Sequence, residues 1–121
     1  MKTNIVGAIN NALELSMKEN DKIVLLGEDI GKDGGVFRVT DGLQDKFGEK
    51  RVIDTPLAES SIIGASIGMA IAGLRPVPEM QFAGFMLLGF SQLVNHAARF
   101  RSRTRSTLSY ISSGISCLNK R

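Results

Sequence analysis

The feature that most constrains the fold is a short, wholly apolar run, IVLL at residues 23–26, which glycine and two acids follow directly. Four residues are too few for a helix, and an apolar run that ends at glycine is typical of a strand buried on both faces of a sheet. Parallel sheets covered by helices contain such strands. Residues 52–54 and 75–80 predict two further strands, and Pro76 and Pro78 place the last of them at an edge.

Segments with helical periodicity separate these predicted strands. Apolar residues recur every four positions from Ile5 to Met17, which predicts an amphipathic helix over residues 4–19 with Thr3 or Asn4 as its cap. Short strands that alternate with helices indicate an α/β fold with a parallel sheet, flanking helices and right-handed crossovers. Three further helices are predicted: residues 41–47 between a Thr40 cap and Gly48, residues 59–72 before Gly73, and residues 83–100.

Gly64 and Gly68 lie one turn apart in the helix predicted over residues 59–72. Glycines at this spacing let another backbone approach closely, although each costs about 0.5 to 1 kcal/mol of helix stability relative to alanine. We therefore expect a specific packing partner at these two positions.

Length and composition exclude several classes of protein. A chain of 121 residues has room for one domain, and the single Cys117 can form neither an internal disulfide nor a cysteine zinc site. The most apolar stretch, residues 62–74, is too short for a membrane span and contains three glycines. The first residues lack the apolar core of a secretion signal, so a cytoplasmic protein without membrane association is expected.

The positive charge of the chain is confined to its last residues. Residues 1–98 contain nine lysines and arginines against twelve acids, whereas residues 99–121 contain six basic residues and no acid. A nucleic-acid interface would rest on the four arginines of residues 99–105 alone. A solvated helix end, where cations are favoured, is the preferred interpretation, and nucleic acid is not an expected partner.

Carboxylates are the strongest candidates for chemistry. The glycines of residues 27–35 are wrongly spaced for a dinucleotide or phosphate loop, and the single His96 is interpreted as structural. Glu28 and Asp29 follow the first predicted strand and Glu59 follows the second, where α/β sheets usually contact ligands, so all three are expected in one crevice. As an alternative, Glu59 is a first-turn acid that stabilises a helix N-terminus. Gln81, Phe82 and Phe85 are consistent with core residues at the end of a strand.

Residues 25–85 contain three segments that are specific when they occur together: GED followed by GGVFRVT, then RVIDTPLAE, then EMQFAGF. Together they resemble the β subunit of thiamine-diphosphate-dependent 2-oxoacid dehydrogenase E1 components, the family of the pyruvate and branched-chain enzymes. The resemblance covers about residues 4–105 and implies that residues 1–105 form an incomplete pyrimidine-binding domain. Residues 106–121 depart from the family pattern, and we expect an atypical tail that arose by a frameshift or an early stop. A fourth strand at residues 107–111 is a further expectation.

The resemblance also implies a site. It assigns Glu59 to a hydrogen bond with the pyrimidine N1′ of thiamine diphosphate, Phe85 to the pyrimidine face, and Leu57 and Gln81 to the pocket wall. It places the diphosphate and Mg²⁺ on a partner α subunit, so no metal ligand is expected in this chain, and it implies acyl transfer to a lipoyl acyltransferase (E2). Alone, the fragment is expected to be inactive. Two alternatives are a transketolase-like pyrimidine domain and a noncatalytic module that binds an α subunit through the helix carrying Gly64.

Overall fold

The computed structural model describes residues 4–105, which form a three-stranded parallel sheet with helices packed against it. The predicted Thr3 cap, the predicted strand at residues 107–111 and the predicted tail at residues 106–121 lie outside the described residues. The elements are α1 (Ile5–Glu19), β1 (Ile23–Gly27), α2 (Leu43–Phe47), β2 (Val52–Asp54), α3 (Glu59–Ile71) and β3 (Arg75–Pro78), then a 3₁₀ helix (Ala83–Gly89), α4 (Phe90–Gln92), a π-helical segment (Leu93–Ala97) and α5 (Phe100–Thr104).

The sheet has the order β2-β1-β3, and both pairs of strands are parallel. Leu25 of β1 lies opposite Val52 on one side and Val77 on the other. Successive residues of β1 face opposite sides of the sheet, and Leu25 and Leu26 accordingly enter two different apolar clusters. This arrangement confirms the predicted α/β class and the prediction that β1 is buried on both faces.

The two apolar clusters hold the helices against the sheet. The first contains residues from α1, β1, the following loop, α2 and β2, and the second contains residues from β1 and α3 and one residue after β3. The first cluster is Met17, Leu25, Ile30, Leu43 and Val52, and the second is Leu26, Ile62, Ile63, Ile67 and Met80.

Helix α1 is fixed at both ends. The Gly7 N–H donates to the Asn4 side chain at 2.8 Å, which confirms Asn4 as the cap. At the other end, Arg51 Nη2 donates to the Met17 and Asn20 carbonyls at 2.9 and 2.8 Å, and Arg51 Nε donates to the Ile23 carbonyl at 3.1 Å. One guanidinium therefore joins the end of α1 to the start of β1.

The prediction that Thr40 caps α2 is wrong. Thr40 Oγ1 donates to the Ile30 carbonyl at 2.6 Å, so this side chain closes the preceding loop instead of capping a helix. The helix begins only at Leu43, because Gly42 adopts a φ of +71°, outside the helical region. Gly48 ends α2 as predicted, with a φ of +84°.

The prediction of a single helix over residues 83–100 is also wrong, since this stretch consists of short 3₁₀, α and π segments. Gly84 and Gly89 weaken a regular helix here, and Gly89 packs closely on α3. A Cβ atom added at Gly89 would lie 2.7 Å from Ile63 Cγ1 and 3.2 Å from the Glu59 carbonyl oxygen. The close helix contact expected at Gly64 and Gly68 thus occurs at Gly89.

The other predicted boundaries differ from the structure by at most two residues, and β2 has the predicted bounds. The third strand ends at Pro78 instead of residue 80, although the Glu79 N–H still donates to the Leu26 carbonyl at 2.9 Å. Helix α3 ends through Gly73, whose φ of +93° lets Leu74 N–H reach the Met69 carbonyl at 3.0 Å. Within residues 4–105, no helix is long and apolar enough to cross a membrane.

Candidate functional site

Three glutamates lie where the parallel strands end on the same side of the sheet. Glu28 follows β1, Glu79 follows β3, and Glu59 begins α3 after β2. The Thr55 N–H donates to the Gly27 carbonyl at 2.9 Å, which draws the segment after β2 toward Glu28. Glu79, which the sequence had not suggested, therefore lies at the same end of the sheet as Glu28 and Glu59.

Two of these carboxyl groups are buried. Glu28 is 5% exposed and Glu79 is 9% exposed. One oxygen of each, Oε1 of Glu28 and Oε2 of Glu79, has no hydrogen-bond partner in the part of the chain that the structure describes. Leaving a buried carboxylate oxygen unpaired costs free energy, which favours the protonated form of both side chains.

The electrostatics of the cluster act in the same direction. Burial, together with the nearby Glu28 charge, raises the pKa of Glu79 from 4.5 to about 7. Burial also raises the pKa of Glu28; the neighbouring charges of Glu59 and Asp29 add to this effect, and a hydrogen bond with the Ala58 backbone opposes it. The end of the sheet thus holds two carboxyl groups with raised pKa values, and Glu79 keeps its proton up to about pH 7.

Glu59 is half-buried in the first turn of α3. The residue before it is Ala58, which has no side-chain hydrogen bond to offer as a cap. Glu59 therefore has the position required of a helix-stabilising acid, and its charge is also close enough to Glu28 to affect the pKa of that group. Both interpretations of Glu59 stay open on this geometry.

Aromatic rings line the same end of the sheet. The ring of Phe82 meets Phe37 edge to face at a centroid distance of 5.7 Å, and it meets Phe85 in the same manner at 5.4 Å. Phe82 is 48% exposed and Phe85 is 39% exposed, so the interpretation of these two residues as core is wrong. Exposed ring faces of this kind can contact a planar ligand.

The loop between β1 and α2 is held rigidly and brings Phe37 to this cluster. Gly31 N–H donates to Asp54 Oδ1 at 2.6 Å, and the Gly35 N–H donates to the Asp29 carbonyl at 2.8 Å. Asp29 itself has a φ of 55°, in the left-handed region. Backbone hydrogen bonds and the side chains of Asp54 and Thr40 together fix this loop.

The predicted site residues are distributed on two neighbouring segments. Leu57 and Glu59 follow β2, whereas Gln81 and Phe85 follow β3. Gln81 is half-buried, and Leu57 is 78% exposed. Within the described residues, no group of His, Cys, Asp and Glu side chains is arranged to hold a metal ion. Glu79 was missed because the predicted third strand ran to residue 80, which placed this acid inside an edge strand instead of directly after it.

Comparisons with known proteins match the chain to one family model and to several curated relatives. The family model described as the transketolase pyrimidine-binding domain matches residues 1–116. The β subunit of the pyruvate dehydrogenase E1 component of Acholeplasma laidlawii is 55% identical over 101 residues, which is 84% of this chain and 31% of the relative. The β subunit of 3-methyl-2-oxobutanoate dehydrogenase of Mycobacterium tuberculosis is 52% identical over 84% of this chain and 29% of its own length.

A third relative has the same relationship to the chain. The β subunit of 2-oxoisovalerate dehydrogenase of Bacillus subtilis is 48% identical over 101 residues, again 84% of this chain and 31% of the relative. The chain thus spans about a third of the length of these curated relatives.

Proposed function

The chain belongs to the family of transketolase pyrimidine-binding domains, and from this premise we propose that it is the pyrimidine-binding part of a 2-oxoacid dehydrogenase E1 β subunit. In a complete enzyme, the proposed reaction is oxidative decarboxylation of pyruvate or a branched-chain 2-oxoacid, with acyl transfer to the lipoyl group of E2. The names of the similar β subunits support this reaction class. The cytoplasm is the proposed location.

The observation that carries the proposal is the group of carboxyls and aromatic rings where the strands end. A pyrimidine ring offers a flat face and a basic ring nitrogen, so its binding calls for an aromatic surface and a carboxyl group. Phe85 offers a partly exposed ring, and Glu59 offers a half-buried carboxyl at the same end of the sheet. These residues fit the pyrimidine end of thiamine diphosphate, with Leu57 and Gln81 as the proposed pocket wall.

Glu59 is proposed to hold and exchange a proton at N1′ of the bound pyrimidine. The neighbouring Glu28 is consistent with this role, because burial raises the pKa of its carboxyl and so favours its neutral form beside Glu59. When bound, the cofactor supplies the carbanion and the electron sink that decarboxylation requires. The diphosphate and Mg²⁺ are proposed to be held by an α subunit.

A variant of Glu59 tests the catalytic role. The test uses a hybrid β chain, in which residues 1–105 replace the matching part of a full-length relative paired with its α subunit. Glu59→Gln keeps the size and one hydrogen bond but removes proton exchange, so we expect kcat to fall by about 10²- to 10⁴-fold. Glu49→Gln, which removes an exposed acid that precedes β2, at the opposite end of that strand from Glu59, is the matched control and should leave kcat unchanged.

The capping alternative predicts a different result. If Glu59 only stabilises α3, its replacement lowers the free energy of unfolding by about 0.5 to 1 kcal/mol and leaves kcat of the folded protein intact. Melting temperature and kcat are measured on the same preparation. A kcat for Glu59→Gln within a few-fold of the parent would show that Glu59 does not exchange the proton.

A further inference from the structure

Three aromatic rings, those of Phe37, Phe82 and Phe85, form a row beside the proposed pyrimidine site. The ring of Phe82 lies between the other two. It meets Phe37 at a centroid distance of 5.7 Å and an interplanar angle of 76°, and it meets Phe85 at 5.4 Å and 78°. Both contacts are edge to face, an arrangement that the charge distribution of aromatic rings favours. The proposed pyrimidine site uses only Phe85, so the other two rings of this ring row have no role in it.

Burial alone does not explain the central ring. Phe82 is 48% exposed and belongs to neither of the two apolar clusters that hold the helices against the sheet. A half-exposed ring gains only part of the free energy that burial gives a core residue. Phe82 is distinguished instead by its two ring contacts, one of which is with the ring proposed to face the pyrimidine.

Phe82 holds Phe85 at two points. The Phe85 N–H donates to the Phe82 carbonyl at 3.0 Å, at the start of the 3₁₀ helix, and this bond fixes the Phe85 backbone. The edge-to-face contact then restricts rotation of the Phe85 side chain. In such a pair at least one face of each ring stays clear of the other ring, and Phe85 is 39% exposed. Phe82 therefore orients the Phe85 ring and leaves it a face for a planar ligand.

The other end of the ring row is carried by an anchored loop. Two residues before Phe37, the Gly35 N–H donates to the Asp29 carbonyl at 2.8 Å. Two residues after Phe37, the Val39 carbonyl accepts a hydrogen bond from Asn10 Nδ2 of α1, also at 2.8 Å. The backbone on both sides of Phe37 is thus held, and the ring row connects this fixed loop with Phe85.

We propose that Phe82 and Phe37 are positioning residues for the cofactor. Phe82 holds the ring of Phe85 in the orientation that meets the pyrimidine of thiamine diphosphate, and Phe37 holds Phe82. The proposal rests on the proposed function, which supplies the cofactor and assigns Phe85 to its pyrimidine. A side chain that is already held in place loses less conformational freedom on binding than a free one, so the ring row increases affinity. Proton exchange at Glu59 does not depend on it.

The test measures the Kd of thiamine diphosphate by calorimetry, with Mg²⁺ present, in the hybrid β chain paired with its α subunit. Phe82→Leu removes the central ring but keeps an apolar side chain, and we expect it to raise Kd by about three- to tenfold. Phe82→Tyr keeps the ring and should stay within about twofold of the parent. Phe90→Leu is the matched control and should do the same, because Phe90 is 53% exposed and belongs to neither ring pair.

Double substitutions show whether each ring acts through the next. In a chain that carries Phe85→Leu, the ring to be positioned is absent, so the addition of Phe82→Leu should change Kd by less than about twofold. Likewise, Phe37→Leu should raise Kd in the parent but not in a chain that carries Phe82→Leu. At saturating cofactor, kcat of the single Phe82 and Phe37 variants should stay within about twofold of the parent, because Glu59 is unchanged.

Two results would overturn the positioning role while the proposed function stands. If Phe82→Leu raises Kd equally with and without the Phe85 ring, Phe82 does not act through Phe85. If Phe82→Leu leaves Kd unchanged and lowers only kcat and the melting temperature, the ring row is merely structural. A different result separates the two proposals: if the parent hybrid does not bind thiamine diphosphate, or if Phe85→Leu does not weaken binding, the proposed pyrimidine site is wrong and the positioning role fails with it.

Discussion

Replacing Glu79 should change how the stability of the chain depends on pH. Glu79 is 9% exposed, one of its oxygens lacks a partner among the described residues, and burial raises the pKa of this carboxyl from 4.5 to about 7. A difference of this size corresponds to about 3 kcal/mol between the charged and neutral forms. The folded chain therefore resists the ionisation that the unfolded chain undergoes freely.

The direction of this pH dependence follows from whether the folded or the unfolded chain holds the Glu79 proton. Between pH 4.5 and about 7, the unfolded chain has lost the Glu79 proton while the folded chain retains it. Stability consequently falls as pH rises through this window, and the full loss is present above pH 7. Glu28 acts in the same direction, because burial raises the pKa of its carboxyl as well.

Glu79→Gln replaces the ionisable group with a neutral side chain of similar size. At pH 4 the variant and the parent should have similar free energies of unfolding. At pH 8 the variant should be more stable by up to about 3 kcal/mol, because the parent alone bears the cost of a buried charge. Urea denaturation followed by circular dichroism at intervals from pH 4 to pH 8 gives this difference.

Glu49→Gln, at an exposed position, is the matched control and should follow the parent at every pH. Glu14 affects the acid side of the stability profile. Hydrogen bonds with Lys18 and Lys46 lower the pKa of Glu14 to about 2, so the contribution of Glu14 to the free energy of unfolding is lost only as the pH falls below about 4.5. If the stabilities of parent and Glu79→Gln differ by the same amount at pH 4 and pH 8, Glu79 is not held protonated in the fold.

Two further substitutions test the packing of the domain. Gly89→Ala should lower the free energy of unfolding by about 1 to 3 kcal/mol, because the added methyl would lie 2.7 Å from Ile63 Cγ1. Gly68→Ala, in open space, should raise the free energy of unfolding by up to about 1 kcal/mol. Thermal melting that ranks the two variants in the opposite order would contradict the helix contact. Arg51→Lys should lower the free energy of unfolding, measured in urea, by about 1 to 3 kcal/mol, since one ammonium cannot replace a guanidinium that donates to three carbonyls. An effect no larger than that of Lys50→Ala would count against this role of Arg51.

The sequence predicted the elements whose signals are local. The run at residues 23–26 was recognisable as a strand because it is apolar on both faces, and α1 was recognisable because its apolar residues recur every four positions. The stretch from residue 83 to residue 100 has a similar apolar content but forms several short segments. Its geometry depends on Gly89 meeting Ile63, a contact between residues 26 positions apart that no local pattern contains.

The difference between local patterns and packing contacts also explains which parts of the candidate site could be predicted. The sequence placed Glu28 and Glu59 in one crevice because the carboxyl ends of parallel strands meet, and this rule needs only the order of the elements. Their position at the end of a strand predicts Phe82 and Phe85 to be core residues, yet they contact each other at a surface. Exposure is a property of the whole packing arrangement, and residue type alone does not determine it.

Glu79 shows most clearly what a sequence pattern leaves out. An acid after an edge strand is ordinarily solvated, and its position in the chain gives no reason to expect a raised pKa. Glu79 is buried because β3 pairs directly with the central strand, so that the residue after β3 comes next to the residue after β1. Its N–H hydrogen bond to Leu26 continues that pairing beyond Pro78 and holds the Glu79 backbone beside Glu28. The proton that Glu79 keeps near neutral pH is therefore a consequence of strand order.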